Sequence, residues 1–325
     1  MAGLLQSRLM SELLHILFAG GGEFGLPTLK HLRESGYNVL SVISQPDRPA
    51  GRGRRTTPTP ISQYAIENNM PLIRTADINQ EKLPPADLLV VIAFGQKIAP
   101  HIAEQPRLGS INLHASILPR YRGAAPINWA IIRGETITGN TVIRLAQKMD
   151  AGAILGESQL QIGSLETAGE LHDRLAEDGA RLAVRVVAEL AEGTAVAVEQ
   201  EHALATLAPK ITRQETVLVF AGASANALAH RIRGLYPWPG CRAQVLDAAG
   251  AVQSRVTLVR ARTTTGEGHR WHPGELTTHG AISVGDGTDA LEIIELQPEG
   301  RTPMPLQAYH NGHPWMPGMR VESIA

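Results

Sequence analysis

Residues 110–126 read Ser-Ile-Asn-Leu-His-Ala-Ser-Ile-Leu-Pro-Arg-Tyr-Arg-Gly-Ala-Ala-Pro. The first five predict a strand, which a proline-broken basic loop ends. In a strand, Asn112 and His114 share one face because they are two apart. That puts a polar pair at the carboxyl end of a strand, where open α/β sheets bind their ligands. An amide and an imidazole aimed into one cleft can hold a developing oxyanion and move a proton. The same pair also reads as a structural hydrogen-bonded couple.

Upstream, His15–Ala19 is a short apolar run, Phe24–Ser35 reads as a helix, and Val39–Ile43 is a second strand. A helix near Ile61–Asn69, a short strand near Leu72 and an apolar strand Leu88–Ala93 follow. Downstream come a helix over Ala124–Arg133, paired strands Val142–Leu145 and Ile154–Leu160, and a long helix Thr167–Leu190. Strand–helix alternation to about residue 190 predicts a doubly wound, Rossmann-like, largely parallel sheet. Residues 193–216 carry little periodicity and read as a linker. Beyond it, a helix over Ala223–Arg233 and short strands at Arg242–Leu246, Arg255–Val259, Ala281–Val284 and Leu291–Glu295 predict a small β-barrel.

The 325 residues, 43% hydrophobic and 19% charged, suit about two packed domains. A net charge of −1 leaves any nucleic-acid contact to a local basic patch. The single cysteine, Cys241, excludes an internal disulfide framework and a multi-cysteine zinc site, and fits a reduced compartment. Residues 1–13 are too interrupted by charge for a signal peptide or a membrane span, and an amphipathic helical extension is expected there.

Three further stretches carry chemistry. Gly20-Gly21-Gly22-Glu23-Phe24-Gly25 matches G-x-G-x-x-G between a strand and a helix. It reads either as a dinucleotide turn or as a tight turn needing small residues, and the acid a dinucleotide site wants is replaced by Ser44-Gln45. Residues 45–58 hold Arg48, Arg52, Arg54 and Arg55 against Asp47, a surplus of three positive charges. Such a loop suits phosphate and base recognition, or is simply a solvated surface loop. Asp150, before a Gly-containing turn, reads as a third polar group or a turn-stabilising acid.

The string Asn112–Pro126 resembles the signature of the folate-dependent formyltransferases. The loop Gln-Pro-Asp-Arg-Pro-Ala-Gly-Arg-Gly at 45–53 is similar to the one that family members acting on Met-tRNA insert to read the acceptor end. Ala208-Pro209-Lys210-Ile211-Thr212, the run Arg231–Gly240, Asn311-Gly312 and Pro317-Gly318 also fit. The chain departs at Gly21-Gly22 (Thr-Pro in the family), at Ala153 (an acid) and at Val219-Phe220 (Asp-Trp).

The resemblance implies a formyl transfer with Asn112, His114 and Asp150 as the catalytic trio. It implies a donor site from Phe94, Gly95, Gln96, Ile98, Ser116, Ile117, Leu118 and Pro119, with 10-formyltetrahydrofolate as co-substrate and no metal. It implies initiator Met-tRNA as partner, bound by Arg48, Arg52, Arg54 and Arg55, with Lys210, Arg231 and Arg233 on RNA phosphates or on a solvated helix face. The matching division is an extension at 1–13, a catalytic domain at 14–192, a linker at 193–216 and an OB-like RNA-binding domain at 217–325. A cytoplasmic monomer with no membrane contact is expected. Rival readings are a formyltransferase acting on a small amine, an NAD-dependent dehydrogenase argued from Gly20–Gly25 alone, and a non-catalytic RNA-binding protein.

Overall fold

The computed structural model describes residues 14–50 and 55–324. The expected extension at 1–13 and the residues Arg52 and Arg54 lie outside these. Packing divides the chain into two units: 1–123, 139–160 and 172–207 form the first, and 124–138, 161–171 and 208–325 the second. Two short segments of the expected catalytic domain thus pack with the C-terminal part.

The first unit is built on a seven-stranded sheet. Its strands are β1 (His15–Gly20), β2 (Asn38–Ser44), β5 (Leu72–Arg74), β6 (Leu88–Ile92), β7 (Ser110–His114), β9 (Ile137–Arg144) and β10 (Ile154–Gln161), in the order β10-β9-β7-β6-β1-β2-β5. The pairs β1–β2, β1–β6, β2–β5 and β6–β7 are parallel, and β7–β9 is antiparallel. All five residues of β6 and the last five of β1 are buried, as a parallel sheet covered on both faces requires. The doubly wound expectation therefore holds, with the order reversing between β1 and β6. Register pairs Gly20 with Ile92 and Val91 with Asn112, so β1, β6 and β7 deliver their carboxyl ends to one edge.

At that edge the glycine-rich turn is a packing device. A Cβ on Gly20 would stand 2.9 Å from the Phe18 ring and 3.1 Å from the Ile92 carbonyl oxygen. A 3-10 turn at Glu23–Gly25 precedes α1 (Leu26–Glu34), because Pro27 sits in the first helical turn. Within the expected loop at 45–58, β3 (Arg48–Ala50) and β4 (Arg55–Thr57) pair antiparallel, and α2 (Pro60–Glu67) follows, capped by Thr59. β9 begins five residues before the predicted Val142, since Thr138, Asn140 and Thr141 are buried polar residues that break the apolar pattern. The Asn140 amide nitrogen donates to the Leu175 carbonyl oxygen at 3.0 Å. A four-residue helix α3 (Pro100–Ala103), a two-residue strand β8 (Arg122–Gly123) and the long helix α5 (Ala168–Glu192), whose first turn belongs to the second unit, complete the elements near this sheet.

The second unit holds α4 (Pro126–Ile132), α6 (Ala225–Leu235) and α7 (Leu306–His310) with a six-stranded antiparallel sheet. After β11 (Leu207–Ala208), its strands are β12 (Cys241–Leu246), β13 (Val252–Thr265), β14 (Ile282–Ser283), β15 (Asp289–Pro298), β16 (Met304–Pro305) and β17 (Arg320–Ile324). They run β14-β15-β13-β12-β17, with β16 on β15. Residues 274–276 nearly close the ring, because Glu275 bridges Arg320 and Leu276 bridges Ile282. The expected barrel is therefore present. Its core gathers Ile232, Leu258, Leu276, Leu291 and Leu296, all fully buried.

One charged node pins this unit. Arg260 on β13 pairs with Glu295 at 2.6 Å and Glu170 at 2.5 Å, and its Nη1 donates to the Leu165 carbonyl oxygen. Glu170 also accepts from the Thr167 backbone N–H, while Thr167 Oγ1 accepts from the Glu170 N–H, a capping box at the start of α5. The Arg260 hydrogen bond holds the Glu170 carboxyl at about 2. A depressed carboxylate adds stability above its unfolded value near 4.5, and that stability is lost as the pH falls towards 2. The E170Q variant should lose about 1 kcal/mol at pH 7, discounted for a half-exposed group. It should also show a flatter stability profile between pH 4.5 and 2. Urea unfolding across that range checks it, and an unchanged profile would contradict the assignment.

Candidate active site

β7 places Asn112 and His114 on one face with Leu113 on the other, as the two-residue period demands. His114 is buried and Asn112 half-buried. The chain then turns sharply. Thr141 Oγ1 donates to the Ser116 carbonyl oxygen at 2.7 Å and accepts from the Leu118 N–H at 3.1 Å. Ser116 Oγ donates to the Arg120 carbonyl oxygen at 2.7 Å. These bonds bring Tyr121, at φ 61°, back beneath the imidazole.

His114 Nε2 lies 2.9 Å from the Tyr121 carbonyl oxygen. A carbonyl only accepts, so Nε2 carries a proton and donates it there. The other nitrogen, Nδ1, faces Asp150 Oδ2 at 3.7 Å. Asp150 occupies the turn between β9 and β10 at φ 52°, and its Oδ2 accepts from the Gly123 N–H at 2.8 Å. Acid and imidazole are thus each tied to the same three-residue backbone, and the free ring nitrogen faces the carboxylate oxygen that Gly123 holds. The Asn112 amide makes no hydrogen bond among the described residues. An anchored His–Asp pair beside a free amide can bind an oxyanion and relay a proton.

The neighbouring loops form the rest of the edge. The Phe94 ring is 2% exposed and belongs to the sheet core, and its carbonyl oxygen accepts from the Gln45 amide at 2.7 Å. The Gln96 amide is used by the Ile78 N–H and the Thr75 carbonyl oxygen. Ile98 packs against the same core. Gly95 follows Phe94 in the β6 loop, while Ile117, Leu118 and Pro119 follow β7 with Ser116. Where a dinucleotide acid would stand, Ser44 is buried and bonded to Thr59 Oγ1 at 2.7 Å. The dehydrogenase reading gains nothing from this arrangement.

The basic residues scatter. Arg48 is exposed on β3 and Arg55 opens β4. Asp47, the acid of this stretch, pairs with Arg74 at 3.1 Å. Lys210 is exposed, while Arg231 is half-buried and donates to the Glu215 carbonyl oxygen. Arg233 corrects its expectation. It is 5% exposed and donates to the Glu166 carbonyl oxygen at 2.9 Å, on the apolar face of α6 beside Ile232 and Leu235. It offers no exposed guanidinium to an RNA phosphate. It lines a concavity of about 260 Å³ in the second unit together with His230 and Arg262.

Sequence reasoning missed Tyr121, Gly123 and Thr141, which act through backbone and hydroxyl groups. It also missed Gln200, a buried amide in a stretch without periodicity. Only Arg122 had a signal, as part of the basic string after the strand.

Residues 14–187 match the family model described as formyl transferase, and residues 210–314 match formyl transferase, C-terminal domain. The chain is 37% identical over 316 residues to a protein of Citrifermentans bemidjiense named methionyl-tRNA formyltransferase, covering 94% of this chain and 95% of that one. A protein of the same name from Acidobacterium capsulatum is 37% identical over 317 residues, covering 94% and 99%. Among solved structures, the fold is similar to an N-formyltransferase of Helicobacter canadensis in complex with folinic acid and dTDP-3-aminofucose. The TM-score is 0.64 at 15% identity, covering 88% of this chain and all of that one. A sugar 3N-formyl transferase, WlaRD, gives a TM-score of 0.63 at 14% identity, covering 89% and 99%.

The Asp150 turn tolerates no side chain two residues on. A Cβ at Gly152 would stand 1.9 Å from the Arg144 carbonyl oxygen, which is backbone and cannot swing aside. The G152A variant should lose about 1–3 kcal/mol of stability, the usual cost of overpacking. Denaturant unfolding measures this, and an unchanged midpoint would show that the turn is free to move.

Proposed function

The chain belongs to the formyl transferase family, and we propose that it transfers the formyl group of 10-formyltetrahydrofolate to the amino group of methionine on initiator Met-tRNA. One observation carries the chemistry: His114 and Asp150, fixed by the Tyr121 carbonyl and the Gly123 N–H, face each other beside the free Asn112 amide. The acceptor rests on the surplus of arginines in the sequence of the 45–58 loop and on relatives 37% identical over most of the chain.

The residues divide the work as follows. The methionyl amine attacks the formyl carbon, forming a C–N bond and pushing the carbonyl electron pair onto oxygen. The Asn112 Nδ2–H donates to that oxygen, stabilising charge that exists only after attack. The Asp150 carboxylate takes the amine proton, directly or through a water. Because His114 Nε2–H is committed to Tyr121, it is Nδ1 that takes this proton from Asp150 and delivers it to folate N10 as the bond from N10 to the formyl carbon breaks. Tetrahydrofolate and N-formylated Met-tRNA leave, and the relayed amine proton ends on N10, so Asp150 and His114 return to their starting states. The loops at 94–98 and 116–119 border the same edge and hold the folate. The 48–57 hairpin takes the acceptor end, with Lys210 as a further phosphate contact and Arg231 a weaker one.

A formylation assay with 10-formyltetrahydrofolate and charged initiator Met-tRNA, run beside free methionine and a small amino sugar, tests this reading. Transfer to Met-tRNA alone is expected; transfer to the small amine instead overturns the acceptor. H114A should lower kcat by about 10²–10⁴-fold and N112A by about 10²–10³-fold, with tRNA binding preserved. R52A should raise KM for Met-tRNA at least about tenfold, the cost of one lost charge-assisted contact, and leave the folate KM unchanged. Equal losses for both substrates would remove Arg52 from acceptor recognition.

A further inference from the structure

Gln200 and Arg122 are two buried polar side chains that the chemistry above does not use. Gln200 is 6% and Arg122 4% exposed. The Gln200 amide is fully committed. Its Oε1 accepts from Arg122 Nε at 3.1 Å and from Arg122 Nη2. Its Nε2 donates to the Asp150 carbonyl oxygen at 2.9 Å and to the Gly152 carbonyl oxygen at 2.8 Å. Two donors and two acceptor sites exhaust what the amide can offer. Its orientation is therefore unique, since the flipped amide would set oxygen against two carbonyls and donors against a guanidinium.

Arg122 occupies a matching position. It lies between Tyr121, whose carbonyl holds His114, and Gly123, whose N–H holds Asp150. Its Nη2 also contacts His202 Nδ1 at 2.9 Å. The Tyr121 N–H donates to Thr206 Oγ1 and the Arg122 N–H to the Thr206 carbonyl oxygen, so residues 200–206 strap the 121–123 backbone. A charge this deep is costly, and the two acceptors on the strap fix where its planar fork lies.

We propose that Gln200, held by Arg122, is a positioning residue for formyl transfer that sets the Asp150 turn and so the spacing and angle of the Asp150 carboxylate against His114. The inference rests on the reading that transfer occurs at Asn112, His114 and Asp150. Gln200 touches no reacting atom. It grips the Asp150 main chain while Gly123 grips the Asp150 carboxylate, which fixes the acid at both ends. Misplacing a reacting group by about 1 Å costs rate on the order of 10²-fold, whereas a folate held by other loops keeps its affinity.

Two substitutions at one position separate positioning from mere satisfaction of a buried arginine. Q200A removes every bond. Q200E keeps the acceptor for Arg122, improved by charge, and replaces the donors to Asp150 and Gly152 with a carboxylate oxygen set against both carbonyls. If Gln200 positions Asp150, kcat falls about tenfold or more in both variants and the folate KM stays within about threefold. If it only satisfies Arg122, Q200E restores kcat to near the wild-type value, and the proposal is overturned.

The pH profile of kcat/KM in the uncharged variant Q200A adds a further readout. The groups facing Asp150 are the His114 imidazole from β7 and the Gly123 N–H from β8, with Arg122 and His202 behind Gln200. Q200A adds no charge, so a displaced acid limb there reports a moved Asp150 carboxylate, and an unmoved limb counts against the proposal. Should either variant fail to fold by circular dichroism, R122K loosens the grip on Gln200 while keeping the buried charge. It should lower kcat with the folate KM unchanged, and a wild-type kcat there overturns the proposal. Wild-type enzyme is assayed first, because its failure to formylate Met-tRNA would refute the functional reading and not this one.

Discussion

Everything at the site depends on the backbone of Tyr121, Arg122 and Gly123. One carbonyl of this tripeptide fixes the imidazole and one N–H fixes the carboxylate. A carbonyl accepts and an N–H donates, so the ring nitrogen that donates and the carboxyl oxygen that accepts are both chosen by the main chain. The remaining atoms, Nδ1 and the carboxylate, are left facing each other at a distance the main chain determines. The buried polar residues around them, Thr141, Ser116, Arg122 and Gln200, are what one expects where a short segment must hold unusual dihedrals at Tyr121 and Asp150.

The sheet supplies the platform. Parallel pairing from β2 through β1 and β6 to β7 aligns their carboxyl ends, and the polar turns that follow them converge on one edge. The barrel of the second unit is organised differently. It buries an apolar core and pins its surface through Arg260, whose guanidinium serves two carboxylates and a carbonyl at once. Burial pushes the Cys241 thiol up to about 12, so the lone cysteine is a core residue with no reactive thiolate.

Much of this was legible in the sequence. The strands β1, β6 and β7 are continuous apolar runs with clear stops, and Asn112 with His114 followed from the two-residue period. What escaped had a physical reason. β9 starts in buried polar residues whose partners, the Leu175 and Ser116 carbonyl oxygens, lie far along the chain. The hairpin at 48–57 hid in a run dominated by arginine, glycine and proline. Arg233 looked like a surface cation, yet its helix turns that face inward. Gln200 sits in a segment with no period, and only its four hydrogen bonds give it meaning.

The most direct test of the account is the ¹⁵N NMR spectrum of the His114 ring, recorded above the pH at which the imidazole becomes neutral and assigned by comparison with H114A. The account predicts that the neutral ring keeps its proton on Nε2, bonded to the Tyr121 carbonyl, with Nδ1 unprotonated towards Asp150. A neutral ring carrying its proton on Nδ1 would contradict it, because Nε2 would then have nothing to donate to Tyr121 and the imidazole would not be held where the reaction needs it.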